Sequence, residues 1–319
     1  MSRITALAAC AGATLLVQPA FAHGVAGPRI FINTLLIDDP AVSDEASLPT
    51  FSWQHFGADE NGGATNEYDF NFEFDKRITE TVGIGINDGY TVLQQLGSKT
   101  RQGWQNLSVT AKWQPYVNAE HEFMFSVGVI LEFARTGSVN IDNDDVGSTT
   151  PTIYWGKGLG DLPIGYLRPF AITGTFGYQI ADKKLKATTT VDPDTGLTGV
   201  AFNNGMENRW TGGLSLQYSL PYLQSQVKDF GFPEFVNRLT PVVEVAWSSP
   251  ASKPNSLGTQ YLIGVGASYV ADAYALTIEA LIPGNKQTGT NVGVIAQFHL
   301  YFDDLLPNSL GKPIVAWGH

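Results

Sequence analysis

The chain of 319 residues has one cysteine, Cys10, few basic residues, and no long apolar run beyond its first two dozen positions. Each shortage excludes something. Leu7-Ala8-Ala9-Cys10 resembles the small-residue pattern before a lipid-modified cysteine, but the apolar stretch runs on past it to Ala20-Phe21-Ala22. With Arg3 in front and Ile4 to Val17 rich in Ala, Leu, Ile and Val, residues 1–22 read as a secretory signal peptide cleaved after Ala22. Cleavage there removes the only thiol, so disulfides, a cysteine nucleophile and cysteine-based zinc sites are all excluded. After residue 22 there are nowhere eighteen consecutive apolar residues, so a transmembrane helix is excluded too. If the chain enters a membrane it must do so with strands closed into a barrel, because hydrocarbon leaves no other way to satisfy the backbone.

Positive charge is the third shortage. Lys and Arg total 19 against 30 Asp and Glu, a net charge of -11, which becomes -12 once Arg3 is lost. Such a chain makes a poor nucleic-acid binder and a poor partner for anionic lipid surfaces. Aromatic residues, in contrast, reach 12%, charged residues only 15%, and there are 34 glycines. That composition suits a barrel with aromatic girdles and many turns.

The period of the apolar residues decides the fold class. In 67–75, Tyr68, Phe70, Phe72 and Phe74 alternate with Glu67, Asp69, Asn71, Glu73 and Asp75, a period of two that no helix can present on one face. The same alternation occupies 106–115, 122–135, 167–180 and 209–220. Weaker versions lie at 51–56, 82–93, 240–249, 259–270, 274–283 and 291–302. Eleven strands is an odd number, whereas bacterial single-chain barrels have an even one. Short links at 78–80, 117–120 and 271–273 alternate with long ones only if 136–166 hides another strand, for which 152–158 is the candidate. The expectation is an all-β fold: a transmembrane antiparallel up-and-down β-barrel of about twelve strands, both chain ends on the periplasmic side of a Gram-negative outer membrane. A soluble sandwich or lipocalin-like barrel would also alternate. Strands of 9–11 residues, with Trp104, Trp113, Tyr116, Trp210, Tyr218 and Trp247 near their ends, favour the membrane form.

The expected organisation is a signal peptide (1–22), an N-terminal periplasmic or plug segment (23–50), the barrel (51–302) and a C-terminal periplasmic tail (303–319). The link 221–239 is long for the periplasmic side and has room for a short helix.

If the apolar faces meet lipid, the opposite faces line the lumen. They carry Glu67, Asp69, Glu73, Asp75, Glu122, Glu132, Glu244 and Glu279 against Lys112, Arg209 and His299. Asp69, Glu73, Glu244 and Glu279 lie deep enough in their strands to act on a solute, and a confined ring of carboxylates favours cations. Lys112 and Arg209 are better explained as struts that compensate buried carboxylates. His23, exposed by cleavage, would join an α-amine to an imidazole, a nitrogen pair suited to Cu(II), but His55, His121, His299 and His319 have no metal-ligand spacing. No cofactor is implied. Enzymatic barrels need a Ser/His or Asp/His constellation. His299 has the inward parity, but there is no Gly-x-Ser-x-Gly elbow and no nucleophile is identifiable beside it. Gly156-Lys157-Gly158-Leu159-Gly160-Asp161 lacks the strand-to-helix setting of a phosphate loop and reads as a turn.

Gly156 to Pro163 (GKGLGDLP), the strand entry Leu167-Arg168-Pro169-Phe170 and the alternating strands to Phe302 resemble the outer-membrane transporters associated with phenol degradation, the MetA-pathway family. That resemblance covers neither 23–50 nor 303–319. It implies a barrel in outer-membrane lipid that passes small organic solutes. The alternatives are a barrel that docks a partner or a metal through its termini, and an outer-membrane hydrolase.

Overall fold

The computed structural model describes residues 24–58, 62–141, 145–191, 197–254 and 257–315; the signal peptide with Cys10, and His23, fall outside them. It is a closed antiparallel barrel of twelve strands. They are β1 (Glu45–Phe56), β2 (Thr65–Arg77), β3 (Val82–Gln95), β4 in two pieces (Arg101–Trp104 and Ser108–Asn118), β5 (Phe123–Glu132) and β6 (Ser148–Gly158). The other half is β7 (Phe170–Ala181), β8 (Arg209–Tyr218), β9 (Leu239–Pro250), β10 (Gln260–Val270), β11 (Tyr274–Pro283) and β12 (Gly293–Tyr301). Each pairs with its neighbours in sequence, and β12 closes on β1 from Val294 opposite Trp53 to Tyr301 opposite Glu45. Among the described residues no helix is long and apolar enough to cross a membrane, a test that does not bear on strands.

The side chains are sorted as in a barrel turned inside out relative to a soluble protein. Ile84, Ile86, Trp113, Ile153, Phe176, Leu214, Leu216, Val243 and Ile278 stand exposed on the outer face. Their neighbours in sequence, among them Thr152, Ser215 and Thr277, are buried within, as are Ser126 and Thr173 on the same inward parity. Only a solvent of hydrocarbon makes that arrangement favourable. Outward aromatics pair across strands: Phe176 stacks on Trp210 at 5.3 Å, and Phe170 meets Tyr218 edge-on at 4.6 Å.

Two boundaries differ from the sequence expectation. The barrel begins at Glu45, so 45–50 is wall and not part of an N-terminal segment. The β1–β2 register shifts between Ser47 and Thr50, and the inward set changes from 45 and 47 to 50 and 52. Leu48-Pro49 thus breaks the phase of alternation, which hides the first half of the strand. The sixth strand is longer than 152–158: its outward positions include Thr149, Pro151 and Lys157, which spoil the pattern. β4 is interrupted where Gln105 to Leu107 bulge past Asp88 and Gly89.

The link after β8 carries short helices at Leu220–Tyr222 and Glu234–Asn237. The loop after β7 rises into a hairpin, Ala187–Val191 with Thr198–Phe202, in which every residue is exposed.

Candidate functional site in the barrel lumen

Residues 24–44 fold back against the inward faces of the strands. A hairpin, Gly24–Ala26 with Arg29–Phe31, turns at Gly27. Gly27 has φ +64 and sits so close to the Ala119 carbonyl that a Cβ would collide with it, which leaves glycine the residue of choice. Fully buried Arg29 donates to Glu122 Oε2 at 3.1 Å, to the Pro169 carbonyl at 2.9 Å and to the Arg168 carbonyl, with its guanidinium 3.9 Å from the Tyr222 ring centre. Glu122 also accepts from Tyr222 Oη at 2.8 Å and from the Gly160 amide at 3.1 Å. Burial, with the bond to Glu122, pushes the Tyr222 hydroxyl up to about 12, so it remains a donor.

Higher in the lumen the segment turns sharply. The amides of Leu35 and Leu36 each donate at 2.9 Å to one carboxylate, that of Glu244, and Thr34 Oγ1 closes the turn on the Ile37 carbonyl at 2.6 Å. Successive backbone N–H groups converging on an anion form a nest, so Glu244, 0% exposed, anchors the turn. Glu279 lies beside Glu244, close enough for a carboxyl–carboxyl hydrogen bond. Lys112 Nζ grips Asp38 at 2.8 Å and the Asp39 carbonyl at 3.0 Å. Ser126 Oγ donates to the Pro40 carbonyl. Asp39 accepts from the Ala41 amide at 2.7 Å. Burial, followed by the nearby Glu45 charge, raises the Asp39 carboxyl to about 7.

At the end where the chain leaves the barrel, Asp44 is held by Arg77 Nε at 2.8 Å and Lys76 Nζ at 2.5 Å. Arg77 also reaches Asp303 at 2.9 Å and the Gly311 carbonyl at 3.0 Å, while the amides of Ile314 and Val315 donate to Arg77 and Ile78. The tail from Asp303 to Val315 is therefore bound to the barrel's own rim.

The residues singled out from sequence fall into separate groups. Glu73 lines a cavity of about 210 Å³ between residues 33–39 and β1, β2, β3 and β12, and Lys112 lines a smaller one that shares Glu45 and Asp75 with it. Glu244 holds the turn, with Glu279 beside it. Asp69 accepts from Thr91 Oγ1 at 2.5 Å and from Ser52 and Gln105, each at 3.2 Å. Glu132 and Arg209 stand at the opposite end, Glu132 with Ser148 at 3.1 Å and Arg209 with Glu207 at 2.6 Å and the Gly258 carbonyl at 3.0 Å. His299 is sandwiched between Ser47 Oγ at 2.9 Å and Glu45 Oε2 at 3.2 Å. That is the Ser–His–acid order of acyl transfer. Here, however, the adjoining cavity is lined by Glu45, Glu73, Asp75, Asp38 and Asp39, a field that opposes any developing oxyanion.

The architecture has solved counterparts. The COG4313 outer membrane channel from Pseudomonas putida F1 superposes with a TM-score of 0.53 over 90% of this chain and 100% of its own, at 11% identity. The fold is that of an outer-membrane barrel. The NanC porin, with a TM-score of 0.45 and 7% identity over 79% of this chain and 98% of its own, is more distant. The sequence itself matches no family model and no curated protein.

Sequence reasoning missed Asp39, Asn33 and Gln297, which lie in an aperiodic segment or were passed over as neutral, and Arg29, Asp44 and Arg77, whose partners come from opposite ends of the chain. Asp75 and Glu122 are legible as inward acids, but their places near strand ends do not distinguish them from solvated ones.

Proposed function

We propose that the protein is a passive outer-membrane channel for small solutes whose lumen is occupied by its own residues 24–44. The observation that carries this reading is the Glu244 anchor. A turn with no regular structure is held inside a polar tube by hydrogen bonds from two amides, an attachment that can be released without unfolding a strand. The resemblance to MetA-pathway transporters adds small organic solutes as the cargo class. The excess of inward carboxylates adds a preference for cations over anions, through field focusing by the low-dielectric wall. Residues 23–44 act as the plug and 303–319 as a periplasmic tail; outer-membrane lipid surrounds the strands.

Planar-bilayer recording tests the reading. The intact protein should give brief, small conductance steps, and a variant lacking 24–44 should give larger, lasting ones with a reversal potential displaced toward that of the cation. Silence from both proteins overturns it.

A further inference from the structure

The cavity beneath the turn carries an imbalance that its own residues do not resolve. Five carboxylates, those of Asp38, Asp39, Glu45, Glu73 and Asp75, line it. Of the basic side chains nearby, Lys112 is engaged by Asp38 and the Asp39 carbonyl, and the His299 ring by Glu45 and Ser47. Among the described residues Glu73 and Asp75 have neither a hydrogen bond nor an ion pair. An independent sign comes from two neutral amides. Gln297 is 9% exposed; its amide nitrogen is fixed on Thr50 Oγ1 at 2.9 Å, and its Oε1, on the cavity wall, is buried without a partner. Asn71 Oδ1, on the same wall, is likewise buried and unpartnered. Buried acceptors left without donors are costly, and native structures rarely leave several together.

We propose that this cavity binds a small organic cation bearing several N–H donors, of the alkylguanidinium or alkyldiamine class, held by Asn71, Glu73 and Asp75 along β2 and by Gln297 on β12. Among the described residues no three His, Cys, Asp or Glu side chains are grouped closely enough to hold a metal ion. The acceptors surround a space and do not converge on a point, as suits an extended donor. At about 210 Å³ the space lies below the ~300–1,000 Å³ of pockets for drug-sized ligands, which restricts the occupant to a short chain. As a station on a permeation path the site rests on the channel reading; as a binding site it stands without it.

The test is calorimetric titration of the full-length protein in detergent with methylguanidinium and with 1,4-diaminobutane, using acetate and glycerol as comparators. The cations should bind and the comparators should not. Glu73→Gln and Asp75→Asn should each weaken cation binding about tenfold or more, the loss expected of one charge-assisted hydrogen bond, while Asp272→Asn on an exposed turn should not. Heat-dependent gel mobility selects the folded variants, and either of the two cavity variants suffices. Glycerol binding as well as the cations, affinity unchanged in the folded cavity variants, or full displacement by equimolar calcium overturns the proposal. Cation binding without conductance would refute the channel and keep the site; conductance without cation binding would do the reverse.

Discussion

Glu244→Ala is the sharpest perturbation of the plug. The wild-type carboxylate accepts the Leu35 and Leu36 amides at 2.9 Å each, with the side chain fully buried. A hydrogen bond to a charged group contributes ~1.5–3 kcal/mol, so the two together contribute about 3–6 kcal/mol if additive. Water entering the vacated space restores part of this, and neighbouring effects do not add fully. A loss of roughly 2–4 kcal/mol in plug docking is expected, or about 30- to 1,000-fold in the release equilibrium. Glu244→Gln keeps one acceptor and should lose about half as much. Arg29 is the single basic residue of 24–44 and is buried, so trypsin reaches it only in the released state. Cleavage after Arg29 tracks the population of that state when reclosing is fast. Open probability in bilayers gives the second measure. If cleavage rate and open probability of folded Glu244→Ala stay within twofold of wild type, the anchor does not hold the plug.

Acidity should act on the same docking. Asp39 has its carboxyl raised to about 7 by burial and by Glu45, above the ~3.9 of a free aspartate. The docked state thus binds a proton that the released state lacks. Docking is fully favoured below about 4, weakens by up to about 1.4 kcal/mol per pH unit above that, and levels off past 7; open probability should rise over that window and be flat in Asp39→Asn. Arg77→Ala should lower the temperature at which the folded gel band is lost. Removing a buried partner costs ~3–5 kcal/mol, and because Lys76 still holds Asp44 at 2.5 Å, the lower end is expected. Ile278→Arg places a charge mid-strand on the outer face, where Ile278 is 59% exposed. Denaturant titration in lipid vesicles should show a loss of ~2–4 kcal/mol, and an unchanged midpoint would mean that this face does not contact hydrocarbon.

The barrel was readable wherever one face stayed apolar, as in Tyr68 to Phe74, because lipid and lumen impose opposite chemistry on successive residues. It became unreadable where the phase slipped at Leu48-Pro49, or where the outer face of β6 carried Thr149, Pro151 and Lys157. Parity of the strand count recovered β6 where periodicity could not. The candidate site was legible only in half. Glu73, Lys112, Glu244 and Glu279 could be assigned inward, but what they meet could not, since Glu244 binds backbone amides that any residues other than proline at 35 and 36 would supply. The partner of His299 was hidden for a related reason: Ser47 lies in the half-strand that the bulge conceals.

Arg77 is reached from both directions along the chain, by Asp44 just before the first strand and by Asp303 just after the last. These two acids come within range of one guanidinium only when β12 has zipped onto β1. The knot therefore works as a clasp on a necklace: it cannot fasten while the seam is open, and once fastened it resists the parting of the one strand pair that sequence neighbours do not enforce. Assembly acquires a final step that verifies its own completion, and the seam needs no lock of its own within the hydrocarbon.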